Sequence, residues 1–416
     1  MKQMLTGNAA AAWGARLADV DYVPAFPITP QTEIIETISH WSSDGTMGCR
    51  FVMMDSEHAM VTAAGAAAAT GVRVFTATSS QGLLYALEAM YTVAGWRVPL
   101  VMVNVSRGIS SPITLEADHN DILSARDTGF LQIHAETCQE VVDSIIMGYR
   151  IAEDPRVLLP IIINMDGFSL SFTREPVTIP DKDKIASFLP TYHPEHALFR
   201  ASSPMSQGVA VLGGGAYSYF KYQTHLAAMN AIEVHNEIAD LYGSLTGRHY
   251  GLVDSYKTED ADYVFIITNA LATRGKAAVD HLRLQGKSVG LLRPRLIRPL
   301  PVEAIASQLE GKKGVIVIDQ NISPGLGGIL FQELAAALYS TPHRPDRIKS
   351  FVGGLGGKNI SQDEFDYMLS AVSQDEYLWT DQPELLYTQA EWAQMQSMLA
   401  VAGKEVPDDN YLSIDT

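Results

Sequence analysis

The stretch Phe51–Met60, FVMMDSEHAM, passes from an apolar tetrad through a short polar break into the alanine-rich segment VTAAGAAAATG. It reads as a strand that stops and a helix that starts, with Glu57 in the helix's first turn. Two other segments repeat the apolar-to-polar transition: Ala25–Glu33, AFPITPQTE, and Thr76–Gly82, TATSSQG. In an open α/β sheet, ligands bind outside the carboxyl ends of the strands. Three such ends this close in the chain mark a candidate site.

Working outward, the alternation continues. Helices at 8–18, 31–41, 57–70, 81–94 and 138–154 interleave with strands at 22–26, 49–54, 72–77, 99–105 and 157–165. The last strand, VLLPIIINM, is apolar throughout, the signature of a strand covered on both faces. This rhythm predicts an α/β domain with an open, doubly covered parallel sheet over residues 1–250. Within it, residues from about 166 to 250 are Pro-containing and polar, and are read as a long excursion across the surface. Strands at 263–267, 288–292 and 314–319, with helices at 273–285, 302–309 and 329–339, predict a second, smaller α/β domain over 251–360. Residues 361–416 keep helical periodicity but end acidic and polar, which predicts a C-terminal arm packed on a neighbour.

Composition excludes several classes of function. The 416 residues carry 30 Lys plus Arg against 47 Asp plus Glu, a formal net charge of −17, so binding along nucleic acid or an anionic membrane surface is disfavoured. An anionic ligand must then be held by locally placed Arg side chains or helix ends. The two cysteines, Cys49 and Cys138, are too few for a disulfide framework, an iron–sulfur cluster or a Cys-based zinc site within this chain. No stretch reaches the ~18 apolar residues of a spanning helix, and the N-terminus lacks a signal-peptide core, so the expected compartment is the cytoplasm.

Several residues at the strand ends could carry chemistry. Glu57 is either a dipole partner at a helix start or a buried carboxyl that meets a ligand nitrogen. Burial would raise its pKa and the helix terminus would lower it. Thr29 stands between Pro27 and Pro30, which restrict the backbone around its hydroxyl; the alternative is that Thr29 merely caps the following helix. Arg107, after the apolar run PLVMVNV, could grip a carboxylate bidentately or pair at the surface with Glu116 or Asp118. Glu116, Asp118, His119 and Asp121 have metal-ligand chemistry but loop-like spacing, and are read as a polar loop. The Gly-rich runs at 213–215, 325–328 and 353–357 match neither GxGxxG in strand–turn–helix context nor GxxxxGK[ST], and are read as tight turns.

Taken together, PITPQTEI, DSEHAM, TATSSQGL and RDTGF (Arg126–Phe130) resemble the α subunits of the 2-oxoacid:acceptor oxidoreductases, the pyruvate:ferredoxin oxidoreductase family. EDADYVFIITNA and KSVGLLRPRLIRPLP extend the resemblance into the second domain. The resemblance implies a pyrimidine-type thiamine-diphosphate-binding domain, a transketolase C-terminal-like domain and the arm. It also implies oxidative decarboxylation of a 2-oxoacid with transfer of the acyl group to coenzyme A. Glu57 matches the carboxyl that hydrogen-bonds the aminopyrimidine ring nitrogen. Pro27, Ile28, Ser80 and Gln81 are expected at the cofactor, and Thr29, Arg107 and Phe26 at the substrate. The chain has no GDG-type diphosphate motif, so a β subunit is expected to hold the diphosphate and Mg²⁺. A γ subunit and a ferredoxin-like iron–sulfur subunit are expected as further partners, with an NAD- or flavin-binding subunit as an optional addition.

Two departures bear on the acid used. The residue before PITP, usually Tyr in the family, is Phe26, and SRGISSPITLEAD replaces the sequence close to NRALSAP followed by Ile-Trp. Less bulk and polarity would favour a larger, flatter acid, and these segments look more like phenylglyoxylate dehydrogenase α subunits; the alternative is pyruvate or a branched-chain 2-oxoacid. A scaffold subunit without chemistry would be favoured by loss of Glu57, Thr29 or Arg107, and all three are present. A stand-alone nicotinamide dehydrogenase lacks its fingerprint here.

Overall fold

The structure, a computed structural model, describes residues 1–194, 198–208, 210–374 and 383–401. The chain divides into two compact units: Met1–Asp254 with Pro294–Pro301, and Ser255–Arg293 with the chain from Val302 onward.

The first unit opens with β1 (Lys2–Thr6), a strand beyond those expected from the sequence, followed by the helix α1 (Gly7–Leu17), expected at 8–18. The Thr6 hydroxyl accepts from Ala9 N and so ends the strand and starts the helix. There follow β2 (Tyr22–Ala25), α2 (Thr32–Ser43), β3 (Arg50–Met53), α3 (Glu57–Ala68), β4 (Phe75–Thr78), α4 (Ser80–Tyr85), α5 (Leu87–Trp96) and β5 (Val101–Ser106). The expected helix 81–94 is therefore broken in two, at Ala86. Next come α6 (Asn120–Ser124), β6 (Leu131–His134), α7 (Cys138–Ala152), β7 (Ile161–Asp166), β8 (Arg174–Thr178), α8 (Lys182–Phe188) and α9 (Gly214–Thr246).

β4, β5, β7 and β6 pair in parallel, and β2 pairs in parallel with β3. A parallel bridge between Tyr22 and Val74, with the Thr76 hydroxyl donating to Pro24 O at 2.8 Å, joins β2 to the β4 side. The strand order is therefore β3-β2-β4-β5-β7-β6. Every residue of β4, β5, β6 and β7 is buried, so helices cover both faces, as the continuous apolar run at 157–165 predicts. Each fully buried Ile of β7 contributes about 1.5–3 kcal/mol over leaving it in water.

The stretch expected as an irregular excursion contains real structure. β8 pairs antiparallel with β1, and α9 is a helix of 33 residues. Its inward stripe, Ala227, Ala231, Val234, Ile238 and Tyr242, follows the helical period and packs on the body through contacts with α7 and α8. The N-terminal part of α9 stands exposed, with Tyr217, Tyr219, Phe220 and Tyr222 each more than half accessible.

The second unit holds β9 (Val253–Tyr256), which begins in the first, β10 (Tyr263–Ile266), α10 (Leu271–Leu284) and β11 (Val289–Pro294). A short strand, β12 (Leu296–Arg298), returns to the first unit and pairs antiparallel with β6. The second unit continues with α11 (Val302–Leu309), β13 (Gly314–Asp319), α12 (Ile329–Leu338), β14 (Arg347–Val352), α13 (Gln362–Ser373), β15 (Glu384–Leu385) and α14 (Gln389–Val401). Its sheet has the order β15-β14-β13-β10-β11-β9. α13, placed by the sequence reading in the C-terminal arm, belongs instead to this unit's core: Phe365, Met368, Leu369 and Val372 pack with Phe265, Ile316 and Phe351. α14 has no buried residue. The rest of the expected arm, residues 375–382 and 402–416, lies outside the described residues.

Candidate active site

In the first unit the chain runs from β2 outward to β3, then returns past β2 to β4. The strand order reverses between β2 and β4, and ligands of open α/β sheets bind at such reversals. The three segments singled out in the sequence leave the carboxyl ends of β2, β3 and β4, around that point.

Glu57 is the first residue of α3, whose start is capped by the Ser56 hydroxyl accepting from Ala59 N at 3.2 Å. The Glu57 side chain is 6% exposed, and burial pushes its carboxyl above the usual carboxylate range. α4 comes close to it only because position 82 is glycine. A Cβ there would lie 2.5 Å from both Glu57 Oε1 and Thr78 Oγ1. Thr78 Oγ1 and Ser79 Oγ are buried and without a hydrogen-bond partner among the described residues. A buried, protonatable carboxyl near the uncommitted Thr78 hydroxyl, with a second such hydroxyl on the next residue, suits a heterocycle that offers both ring nitrogens and an amino group.

The loop after β2 is held by its backbone. Phe26 O accepts from Gln31 Nε2 at 2.7 Å, Pro30 O from Asn8 Nδ2 at 2.9 Å and Thr29 O from Arg107 Nε at 2.7 Å. Thr29 does not cap α2, whose N-cap is Gln31, and its side chain remains exposed. Pro27 is exposed, and Phe26 and Ile28 are half-buried.

Arg107 is 5% exposed, and the expected surface pairing with Glu116 or Asp118 is absent: no carboxylate forms a salt bridge with it among the described residues. Burial lowers its pKa, and the field of Asp121 opposes that change. A nearly buried guanidinium with no direct counter-ion is costly to hold, and an anionic ligand relieves that cost.

Of the two remaining expected cofactor contacts, Ser80 donates its hydroxyl to Gly108 O at 2.8 Å, and Gln81 Nε2 donates to Ser110 Oγ at 2.7 Å. Both side chains tie the turn after β4 to the loop after β5. The cluster expected as a polar loop is largely interior: Asp121 and His119 are buried, and His119 Nε2 lies 2.8 Å from Asp166 Oδ1. Asp121, read from the sequence as part of that polar loop, is instead a fully buried hydrogen-bond hub. Its interior position had one sequence signal, the apolar pair Ile122–Leu123 directly after it.

The runs at 325–328 and 353–357 turn the chain, with positive φ at Gly325, Gly327, Gly354, Gly356 and Gly357, whereas the run at 213–215, expected as a tight turn, starts α9: Gly213 is its N-cap and Gly214 and Gly215 are its first residues. At the N-terminus of α12, where a nucleotide phosphate would sit, Asp319 already accepts from Leu330 N and Phe331 N.

Residues 13–240 match the family described as pyruvate flavodoxin/ferredoxin oxidoreductase, thiamine diP-bdg, and residues 261–365 match pyruvate:ferredoxin oxidoreductase core domain II. The pyruvate synthase subunit PorA of Pyrococcus furiosus is 38% identical, over 89% of this chain and 93% of its own. The ketoisovalerate oxidoreductase subunit VorA of Pyrococcus horikoshii is 40% identical, over 87% of this chain and 91% of its own. Among solved structures, the 2-oxoglutarate:ferredoxin oxidoreductase of Magnetococcus marinus superposes with a TM-score of 0.69 at 18% identity, over 90% of this chain and 65% of that one, and shows a shared fold. The fold and the site define a thiamine-diphosphate-binding α/β protein. The chain belongs to the pyruvate:ferredoxin oxidoreductase family, as an oxidoreductase subunit of α type.

Proposed function

We propose that this chain is the α subunit of a complex that oxidatively decarboxylates a 2-oxoacid and passes the acyl group to coenzyme A, with electrons leaving through iron–sulfur clusters of partner subunits. The observation that carries this reading is the presence, at the carboxyl ends of one sheet's strands, of a buried carboxyl of raised pKa, Glu57, and a buried guanidinium without a direct counter-ion among the described residues, Arg107. Thiamine diphosphate, when bound, supplies the carbon centre on which a 2-oxoacid loses CO₂. The rest falls to the chain's own residues. Glu57 holds a proton at a ring nitrogen, and the hydroxyls of Thr78 and Ser79 give the ring polar partners. Pro27 and Ile28 form the adjoining wall. Arg107 and the Thr29 hydroxyl grip the substrate carboxylate, with Phe26 beside them. The diphosphate, its Mg²⁺, the clusters and the acceptor site belong to the partner subunits in this reading.

For the acid itself, pyruvate or a branched-chain 2-oxoacid is the better supported choice, because two features of the SRGISSPITLEAD departure, Ser106 and Gly108, are absorbed by packing. The Ser106 hydroxyl bonds Asp118 O at 2.8 Å and Asp121 Oδ1 at 2.5 Å. At Gly108, a Cβ would meet Thr114 Cγ2 at 2.3 Å, so the missing side chain opens no room. Phe26 and the absence of the Ile-Trp pair remain as differences. The test is acyl-CoA formation by the natively purified complex with an artificial electron acceptor, comparing pyruvate, 2-oxoisovalerate and phenylglyoxylate. Preference for either aliphatic acid is expected. Dominance of phenylglyoxylate would restore Phe26 as a specificity residue, and turnover of none of the three would sink the assignment.

A further inference from the structure

Asp121 is fully buried, and its carboxylate gathers donors from four places in the chain. Oδ2 accepts from Ser80 N at 3.0 Å, from Asn104 Nδ2 at 3.1 Å and from Arg107 N at 3.4 Å. Oδ1 lies 2.5 Å from Ser106 Oγ and accepts from Ile122 N at 2.6 Å. Asn104 in turn donates to Asn164 Oδ1 at 2.8 Å, anchoring the group to β7. No cation forms an ion pair with Asp121 among the described residues. A carboxylate enclosed this way is costly unless every lone pair is used, and here backbone and neutral side-chain donors use them.

The elements it joins are the two walls of the site. Ser80 adopts φ of +45°, a conformation unfavourable for a residue with a Cβ, and its N–H is held by Asp121 while its hydroxyl is held by Gly108 O. That turn brings Gly82 against Glu57. On the other side, Arg107 N and Ser106 Oγ fix the loop from which the guanidinium reaches Thr29 O. Because its oxygens are fully engaged inside the protein, Asp121 acts through these neighbours and not on a ligand.

We propose that Asp121 is a positioning residue for substrate binding: by clamping the Ser80 turn to the Ser106–Arg107 loop it sets where the Arg107 guanidinium meets the 2-oxoacid carboxylate. This rests on the reading of Arg107 as the carboxylate-binding group. Asp121→Asn keeps the side chain's shape but replaces one acceptor oxygen with a donor facing backbone N–H groups, so the clamp loosens without a cavity.

The test uses the assembled complex, with pyruvate and 2-oxoisovalerate as probes, and measures KM, kcat and thermal midpoint for Asp121→Asn, Asp121→Glu, Arg107→Lys and the Asp121→Asn/Arg107→Lys double variant. Asp121→Asn is expected to raise KM about tenfold, the worth of one or two hydrogen bonds, with a smaller change in kcat. Its effect should largely vanish in the Arg107→Lys background, because both changes act on one contact. A purely structural role would lower the thermal midpoint and leave KM of the surviving enzyme unchanged, which overturns the proposal. If Arg107→Lys itself leaves KM unchanged, the carboxylate-binding reading fails. If Arg107→Lys raises KM and Asp121→Asn does not, the positioning role alone fails. Should Asp121→Asn not assemble, Ser106→Ala removes a single donor: a KM raised about threefold supports the clamp, and an unchanged KM rejects it.

Discussion

Two regions of the first unit bury charge, and they do it in opposite ways. At the junction of α7 and α9, each buried charge meets its complement. Asp143, in the middle of α7, accepts from Tyr242 Oη at 2.5 Å, Tyr250 Oη at 2.7 Å and Arg248 Nε at 2.6 Å. Nearby, Arg295 Nε donates to Glu140 Oε1 at 2.5 Å and Nη2 to Ser144 Oγ at 2.7 Å, while Nη1 lies 2.8 Å from His235 Nε2. Burial and the Arg295 charge hold His235 well below the usual imidazole range, so it stays neutral and accepts. At the ends of β2 to β5, Glu57 and Arg107 are buried without a direct ion-pair partner among the described residues, and the Thr78 and Ser79 hydroxyls have no hydrogen-bond partner there. Matched burial holds helices together; unmatched burial stores an unsatisfied demand that a ligand can meet.

The largest effect tests the unmatched side. Glu57→Gln in the assembled complex keeps shape and removes the protonatable group, so turnover should fall by about 10²–10⁴, the range expected for loss of a positioned proton-handling group. The thermal midpoint should hold or rise, since a buried carboxyl is gone. Retained turnover would remove Glu57 from the chemistry. On the matched side, Asp143→Ala strands Arg248 and two tyrosine hydroxyls, and should cost about 3–5 kcal/mol of stability. Denaturant unfolding measures that loss, and specific activity of the complex that still assembles should be unchanged. A drop in KM or kcat there would blur the distinction. Arg107→Lys comes next: an ammonium cannot reproduce the planar fork, and KM for the 2-oxoacid should rise about 10- to 100-fold.

How far the sequence carried these regions follows from what each depends on. The β2, β3, β4 and β5 ends are legible because each pairs a local apolar run with polar residues, and Thr29, Glu57 and Arg107 follow β2, β3 and β5. α9 was not read, although Ala227, Ala231, Val234, Ile238 and Tyr242 form a helical stripe. Gly213–Gly215 and the exposed aromatics of residues 217–222 obscured the period at its start. β6 and β12 were missed because strands of four and three residues carry too little pattern of their own. The sequence marks Asp121 only as a member of a polar loop, and its interior role is illegible there for a different reason. Its donors come from Ser80, Asn104, Ser106 and Arg107, and a cluster assembled by tertiary packing has no spacing rule.

The smallest effect is a slope. Because burial raises the Glu57 pKa in the folded state, the folded protein binds more protons than the unfolded one at pH values between the two. The sign is therefore the reverse of the usual carboxylate. Glu57 favours the folded state fully below the ordinary carboxyl pKa, and this contribution is lost as pH rises from there through the raised value. In the Glu57→Gln variant that titration is absent, so the stability of wild type relative to the variant should decline with rising pH over this window. Unfolding of the α chain at a series of pH values reads it directly. A difference that instead grows with pH would mean the ionised carboxylate is the form stabilised by folding. Glu57 would then belong with Asp143 among the matched charges, and its value as a proton-holding group at a ring nitrogen would have to come from the bound cofactor alone.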